Sequence, residues 1–281
     1  MGKIKTLCLM GGLIVIFMFV GNILGGAEGM RVAFWAALGM NFFSYFYSDK
    51  MVLKHYKAVE IKENSSSPLY SIVKHLAQQA NLPMPKVYII PEDVPNAFAT
   101  GRNPSHAAVA ATQGLLDLLS LEEIEGVLAH EMSHVRHYDI LISSVAAMFA
   151  SAIAFLGNLA RSGTASSSQR RSNPLSTIIA ALLMPIAASI VQMSISRTRE
   201  YAADEGAARL TRHPEWLMSA LSKLDHFAKN NQMQRATSQT AHMFIINPFS
   251  GTSHNFSNLF ATHPSTADRL ARLEQLKQQI S

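Results

Sequence analysis

The chain has 281 residues, enough for one or two domains with a substantial core, and 48% of it is hydrophobic against 15% charged. Its one cysteine, Cys8, excludes an internal disulfide and a cysteine-based zinc cluster. The net charge of +5 is not gathered into a basic patch with interleaved aromatics, which argues against a nucleic-acid partner; the basic residues flank apolar runs instead, as they do beside a membrane.

No charged residue lies between Lys5 and Glu28, and residues 6–26 are long enough to span a bilayer. A cleaved signal peptide is the competing reading, with Gly25-Gly26-Ala27 as its cleavage site. The length of the run and the second run that follows favour a retained span. That second run, 32–48, crowds its aromatic residues at its end, like an interfacial belt. Lys3 and Lys5 precede the first run, and Lys50, Lys54 and Lys57 follow the second. By the positive-inside tendency, both ends of a hairpin over 1–48 lie in the cytoplasm.

Residues 49–139 form the next unit. A short helix around Leu69 to Leu76 ends before Pro83, and Lys86-Val87-Tyr88-Ile89-Ile90 reads as a strand. Two small-residue segments, 96–101 and 107–112, have weaker strand character. Beside a hydrolytic site, Asn96, Ala97, Phe98 and Ala99 could hold a peptide backbone by edge pairing; a plain structural hairpin is the alternative.

The segment 120–139 carries the chemistry. Ser120 with Glu123 is a capping box, and Leu121, Ile124, Val127 and Leu128 recur at helical spacing. On that helix lies His130-Glu131-Met132-Ser133-His134, an H-E-x-x-H pattern. Four residues of helix turn about 400° and rise about 6 Å, so His130 and His134 share a face and can reach one metal ion. Glu131, about 100° round from His130, can reach a water on that ion as a general base. Two solvated histidines on a surface helix are the bland alternative.

After Asp139 come two more apolar runs, 140–160 and 175–196, separated by a serine-rich loop. Length supports spanning. Arg161, Arg170 and Arg171 would then lie outside, against the positive-inside tendency, so a hairpin that only partly enters the bilayer is the other possibility.

Residues 197–281 form the last unit. Glu200 and Asp204 are four apart on a helix and share a face. Glu200 would complete a two-histidine, one-glutamate site with an open fourth position, and Asp204 could accept the free ring N–H of a ligand histidine. A solvated face bearing Arg199 and Glu200 is the alternative. Pro214 opens a helix whose leucines and Trp216 read as core. Ser265 with Asp268 resembles another capping box, opening a final helix. His263, held before Pro264, is either structural or a donor to an oxyanion.

Assembled, these pieces resemble the HtpX family of membrane-bound zinc metalloproteases, relatives of the CAAX prenyl proteases. The resemblance runs over nearly the whole chain. It rests on NAFATG at 96–101, LAHEMSHVRHYD at 128–139, REYAADEGAARL at 199–210, ATHPS at 261–265 and the paired apolar runs. It implies a mainly α integral membrane protein with a small β-sheet beside a zincin-like (gluzincin) site. In that scheme one Zn2+ is held by His130, His134 and Glu200, Glu131 is the catalytic base, and 49–139 with 197–281 form the protease domain.

It also implies a protein of the bacterial inner membrane, facing the cytoplasm, that cleaves damaged or misfolded membrane polypeptides under stress. His137 does not complete the longer three-histidine pattern, because Ile140 stands where the third histidine would be, which supports glutamate as third ligand. The rival of a different class is a membrane-anchored zinc-binding scaffold or chaperone without hydrolysis. A purely structural site, however, needs no base such as Glu131 and tends to have four protein ligands.

Overall fold

The computed structural model describes residues 2–63, 65–143, 145, 196–230 and 264–280. Most of the third apolar run, the serine-rich loop, nearly all of the fourth run and His263 lie outside these residues.

Helix α1 runs from Gly2 to His55 and is broken only at Gly25 and Gly26. Gly26 has φ +59°, a conformation that costs an L side chain but not glycine, and here the chain doubles back. Helix resumes directly after the kink, through residues 27–31. The two arms meet near the turn, where a Cβ on Gly21 would strike the Gly29 carbonyl and the Ala33 methyl. Farther down, Asn41 Nδ2 donates to the Met10 carbonyl at 3.1 Å. Small residues and one interhelical amide bond are how apolar helices pack when hydrophobicity alone cannot join them. No helix among the described residues combines the length and hydropathy expected of a single membrane crossing.

Beyond α1 lies a mixed sheet in the order β1-β2-β4-β3: β1 (Val59–Ile61), β2 (Lys86–Ile90), β3 (Ala97–Gly101) and β4 (Ala107–Thr112). β2 and β4 run parallel, and β3 pairs antiparallel with β4, Ala99 opposite Val109. β3 is thus an edge strand. Side chains alternate between two cores. Val87, Ala97, Val109 and Ala111 pack against helices, whereas Ile90, Phe98, Ala108 and Ala110 pack on Leu53 at the end of α1. The alanines of β4, all buried, let layers approach closely on both faces.

Helix α2 (Pro68–Gln79) and the short α3 (Gln113–Leu118) flank the sheet. β1 and α3 are too short to leave a periodic signature in the sequence. Helix α4 (Leu121–Arg136) begins as expected, with Ser120 Oγ accepting the Glu123 N–H at 3.3 Å and Glu123 Oε2 accepting the Ser120 N–H at 2.8 Å. Glu123 also receives Ser219 Oγ at 2.6 Å and Lys223 Nζ at 2.8 Å from α6 (Pro214–Asn230). Burial works against its charge, yet these donors hold its carboxyl below the usual range. Helices α5 (Arg197–Thr211) and α7 (Thr266–Ile280) complete the layer around α4. Chain on both sides of the apolar region 140–196 therefore builds one core, in which Val127 and Leu128 meet Ala207, Leu217, Leu221 and Leu273.

Candidate metal centre

α4 and α5 approach closely where Gly206 faces Ser133, and a Cβ at 206 would collide with the serine hydroxyl. That close approach brings the carboxylate face of α5 against the histidine face of α4. The Nε2 atoms of His130 and His134 point at each other across 3.2 Å. Glu200 Oε2 lies 3.7 Å from His130 Nε2, and Glu200 Oε1 lies 3.6 Å from His134 Nε2.

One ligand atom from each residue can be chosen so that all lie within 4.8 Å of one another, a group that could hold a metal ion. In a tetrahedral zinc site with Zn–N bonds of about 2.0–2.1 Å, neighbouring ligand atoms sit about 3.3 Å apart. The three residues fit such an ion with little movement, and they leave one position open.

Each histidine is backed by its own carboxylate, and each carboxylate by its own arginine. His130 Nδ1 meets Asp204 Oδ1 at 2.9 Å, and Arg269 from α7 grips that carboxylate through Nε at 2.9 Å and a terminal nitrogen at 2.7 Å. His134 Nδ1 meets Asp139 Oδ2 at 3.2 Å, and Arg199 reaches Asp139 Oδ1 at 3.4 Å. With Nδ1 carrying the proton in both rings, both Nε2 lone pairs are left facing the centre.

The electrostatics of the centre favour a cation. Burial opposes charge on His134, but the bond to Asp139 and the carboxylates of Glu200 and Glu131 outweigh it and raise its pKa to about 9. A metal ion would satisfy the same field. Burial likewise opposes charge on Asp204, and the Arg269 guanidinium with His130 overcomes it, lowering its pKa to about 2.

Glu131 is buried, and its Oε2 accepts the backbone N–H of Ala99 at 2.9 Å. That bond shows which way β3 faces. Ala99 and its alternate neighbour Ala97 turn their backbone groups away from β4, toward α4, and Phe98 turns toward β4. Asn96 lies just before the strand and is engaged with Thr112 through both backbone groups. Within the expected segment 96–99, the edge is therefore presented by Ala97 and Ala99, while the Phe98 side chain is buried against Leu53 and Tyr56. Among the described residues the structure brings together His130, Glu131, His134, Glu200 and Asp204, and with them Asp139, Arg199 and Arg269, none of which is assigned a role in a site from the sequence. Asp139 was legible in principle, five residues past His134. Nothing local marks Arg269.

The model of peptidase family M48 matches residues 63–277. A "Protease HtpX homolog" of Campylobacter hominis is 64% identical over 282 residues, covering 100% of both chains. One of Sulfurovum sp. is 54% identical, covering 99% of this chain and 100% of its own. Another, of Burkholderia cenocepacia, is 49% identical, covering 97% and 96%. Among solved structures, S. mikatae Ste24p superposes with a TM-score of 0.55 at 18% identity, over 97% of this chain and 65% of that one. At that identity the likeness is one of fold.

Proposed function

The chain belongs to peptidase family M48, its relatives are HtpX-type proteases, and on that premise we propose that it is a zinc-dependent, membrane-integral endopeptidase acting on damaged or misfolded membrane polypeptides. The observation that carries the hydrolytic reading is the position of Glu131, buried one residue from His130 and tied by a single bond to the edge strand. His130, His134 and Glu200 would hold the ion, and Asp204 and Asp139 would fix the two imidazoles in their liganding tautomer. The chemistry a bound zinc supplies is Lewis acidity, which lowers the pKa of a water to about 7 and polarises the scissile carbonyl.

The remaining steps belong to the chain itself. Glu131 takes a proton from the attacking water on its free Oε1 and delivers it to the leaving amine, while the Ala99 N–H holds Oε2 in place. The outward backbone groups of Ala97 and Ala99 align an extended substrate as an added strand, which brings its carbonyl past the open position. We assign His263 as a candidate oxyanion donor on the sequence grounds given above.

Membrane residence is supported by the surface of α1. Leu7, Val15, Val32 and Trp35 are each 65–72% exposed, and Phe19, Phe42 and Phe43 stand outward with them. An apolar face of that extent is suited to lipid rather than water. Both ends of the hairpin carry the lysines, which favours a cytoplasmic protease domain built from 49–139 and 197–281.

The deciding experiment is cleavage of an unfolded model protein by the detergent-purified, zinc-loaded enzyme beside Glu131→Gln. Cleavage by the wild type alone is expected. Intact substrate with both proteins, each binding one zinc, would favour the non-hydrolytic scaffold.

A further inference from the structure

We propose that a cavity beside the protease domain binds the phosphate headgroup of an anionic phospholipid. The cavity, of about 630 Å³, lies between the base of the α1 hairpin and the far end of α4. Its apolar side is formed by Leu7 and Met10 from the start of the first arm and Tyr45 from the end of the second. Its polar side holds Arg102, on the connection from β3 to β4, together with Arg136 and Tyr138 where α4 ends.

Charge carries the inference. Among the described residues, neither Arg102 nor Arg136 has a carboxylate within 4.0 Å, and both line the cavity. The dipole of α4 accounts for one positive charge at Arg136, in its last turn, but not for Arg102 beside it. Arg102 is half-buried, with its guanidinium 5.4 Å from the centre of the Phe46 ring. Arg136 is exposed, but it shares the lining of this partly apolar cavity with the half-buried Arg102; the two cations suit an anion, and guanidinium groups match phosphate oxygens through paired N–H donors.

The occupant is indicated by the wall. Leu7 and Met10 belong to the same arm whose outward face carries Val15 and Phe19, so a headgroup at the arginines continues directly into acyl chains along α1. Basic pockets between membrane helices on the cytoplasmic side are the usual receivers of anionic headgroups. The inference rests on the reading that α1 lies in a membrane.

The test uses the full-length protein in a neutral detergent. Binding of phosphatidylglycerol, of phosphatidylcholine with the same acyl chains, and of inorganic phosphate is followed by native mass spectrometry. One retained phosphatidylglycerol per chain is expected, with phosphatidylcholine held far more weakly. Arg102→Gln with Arg136→Gln should weaken that binding roughly thirtyfold, at about fivefold per lost charge. Arg102→Lys with Arg136→Lys, which keeps the charge but not the paired donors, should bind more tightly than the glutamine variant, which separates charge from misfolding. Equal binding of both lipids by the wild type, equal binding of phosphatidylglycerol by the glutamine variant, or displacement by micromolar phosphate would each overturn the proposal. Release of the wild type from membranes by alkaline carbonate without detergent would instead remove the membrane reading beneath it.

Discussion

Arg269 and Asp204 are 65 residues apart in sequence, yet two hydrogen bonds of 2.9 and 2.7 Å join them where neither side chain is more than 2% exposed. Asp204 in turn holds His130, so the last helix of the chain is fastened to the metal centre through this carboxylate. Arg272, one turn along α7, stacks over Tyr201 of α5 with its guanidinium 3.8 Å from the ring centre and strengthens the same contact.

Replacing Arg269 by leucine should leave the Asp204 carboxylate buried and uncompensated, a change that costs about 3–5 kcal/mol. A thermal or denaturant unfolding midpoint that hardly moves would show that the pair is not a stabilising element. Asp204→Asn keeps an acceptor for the imidazole but removes its charge, and should bind zinc about 10–100-fold more weakly. Competition with a chelating dye reads that change directly.

Glu131→Gln and His134→Ala should separate chemistry from metal binding. The first is expected to keep one zinc per chain and lose roughly 100–10,000-fold in kcat; the second should lose both. Elemental analysis beside a peptidase assay distinguishes them, and full zinc occupancy in His134→Ala would remove that histidine from the ligand set.

The metal-free protein should lose stability as pH rises. His134 titrates near 9 in the fold against about 6.5 unfolded, so its contribution is complete below about 6.5 and disappears as pH passes 9. Asp204 acts at the other end. Its carboxyl is held at about 2, against an ordinary 3.8, so its contribution is present above about 4 and disappears as pH falls through 2. Zinc must displace the His134 proton, so near neutral pH its binding should release protons. Titration calorimetry in buffers of different ionisation enthalpy measures that release.

Ala99→Pro removes an N–H that points away from β4, and an edge strand tolerates proline at such a position. The sheet should survive while Glu131 loses its tether, and the Ala99 carbonyl stays available to a substrate strand. Roughly a 10–100-fold fall in kcat/KM is expected, the cost of a hydrogen bond to a charged group. Thr100→Pro is the contrast, because its N–H faces β4 and its loss should damage the fold itself.

A good part of this architecture is legible in the residues alone, because its causes are local. The Ser120–Glu123 capping box, the helical spacing of His130 and His134, and the i,i+4 relation of Glu200 and Asp204 all act within a turn or two of helix. β2, β3 and β4 announce themselves by composition and punctuation in the same way.

Which histidine Asp204 would serve, that Asp139 would serve the other, and that Arg199 and Arg269 would stand behind them were decided only when α4, α5 and α7 packed together. The same is true of β3. Its register on β4 determines that Ala97 and Ala99, rather than Asn96 and Phe98, present backbone to the centre. Read along the chain, Arg269 and Arg272 are two charges on an ordinary amphipathic helix. A difference of three positions buries one against Asp204 and leaves the other over an aromatic ring, because burial depends on what the opposite surface offers, and that surface comes from residues far away in sequence.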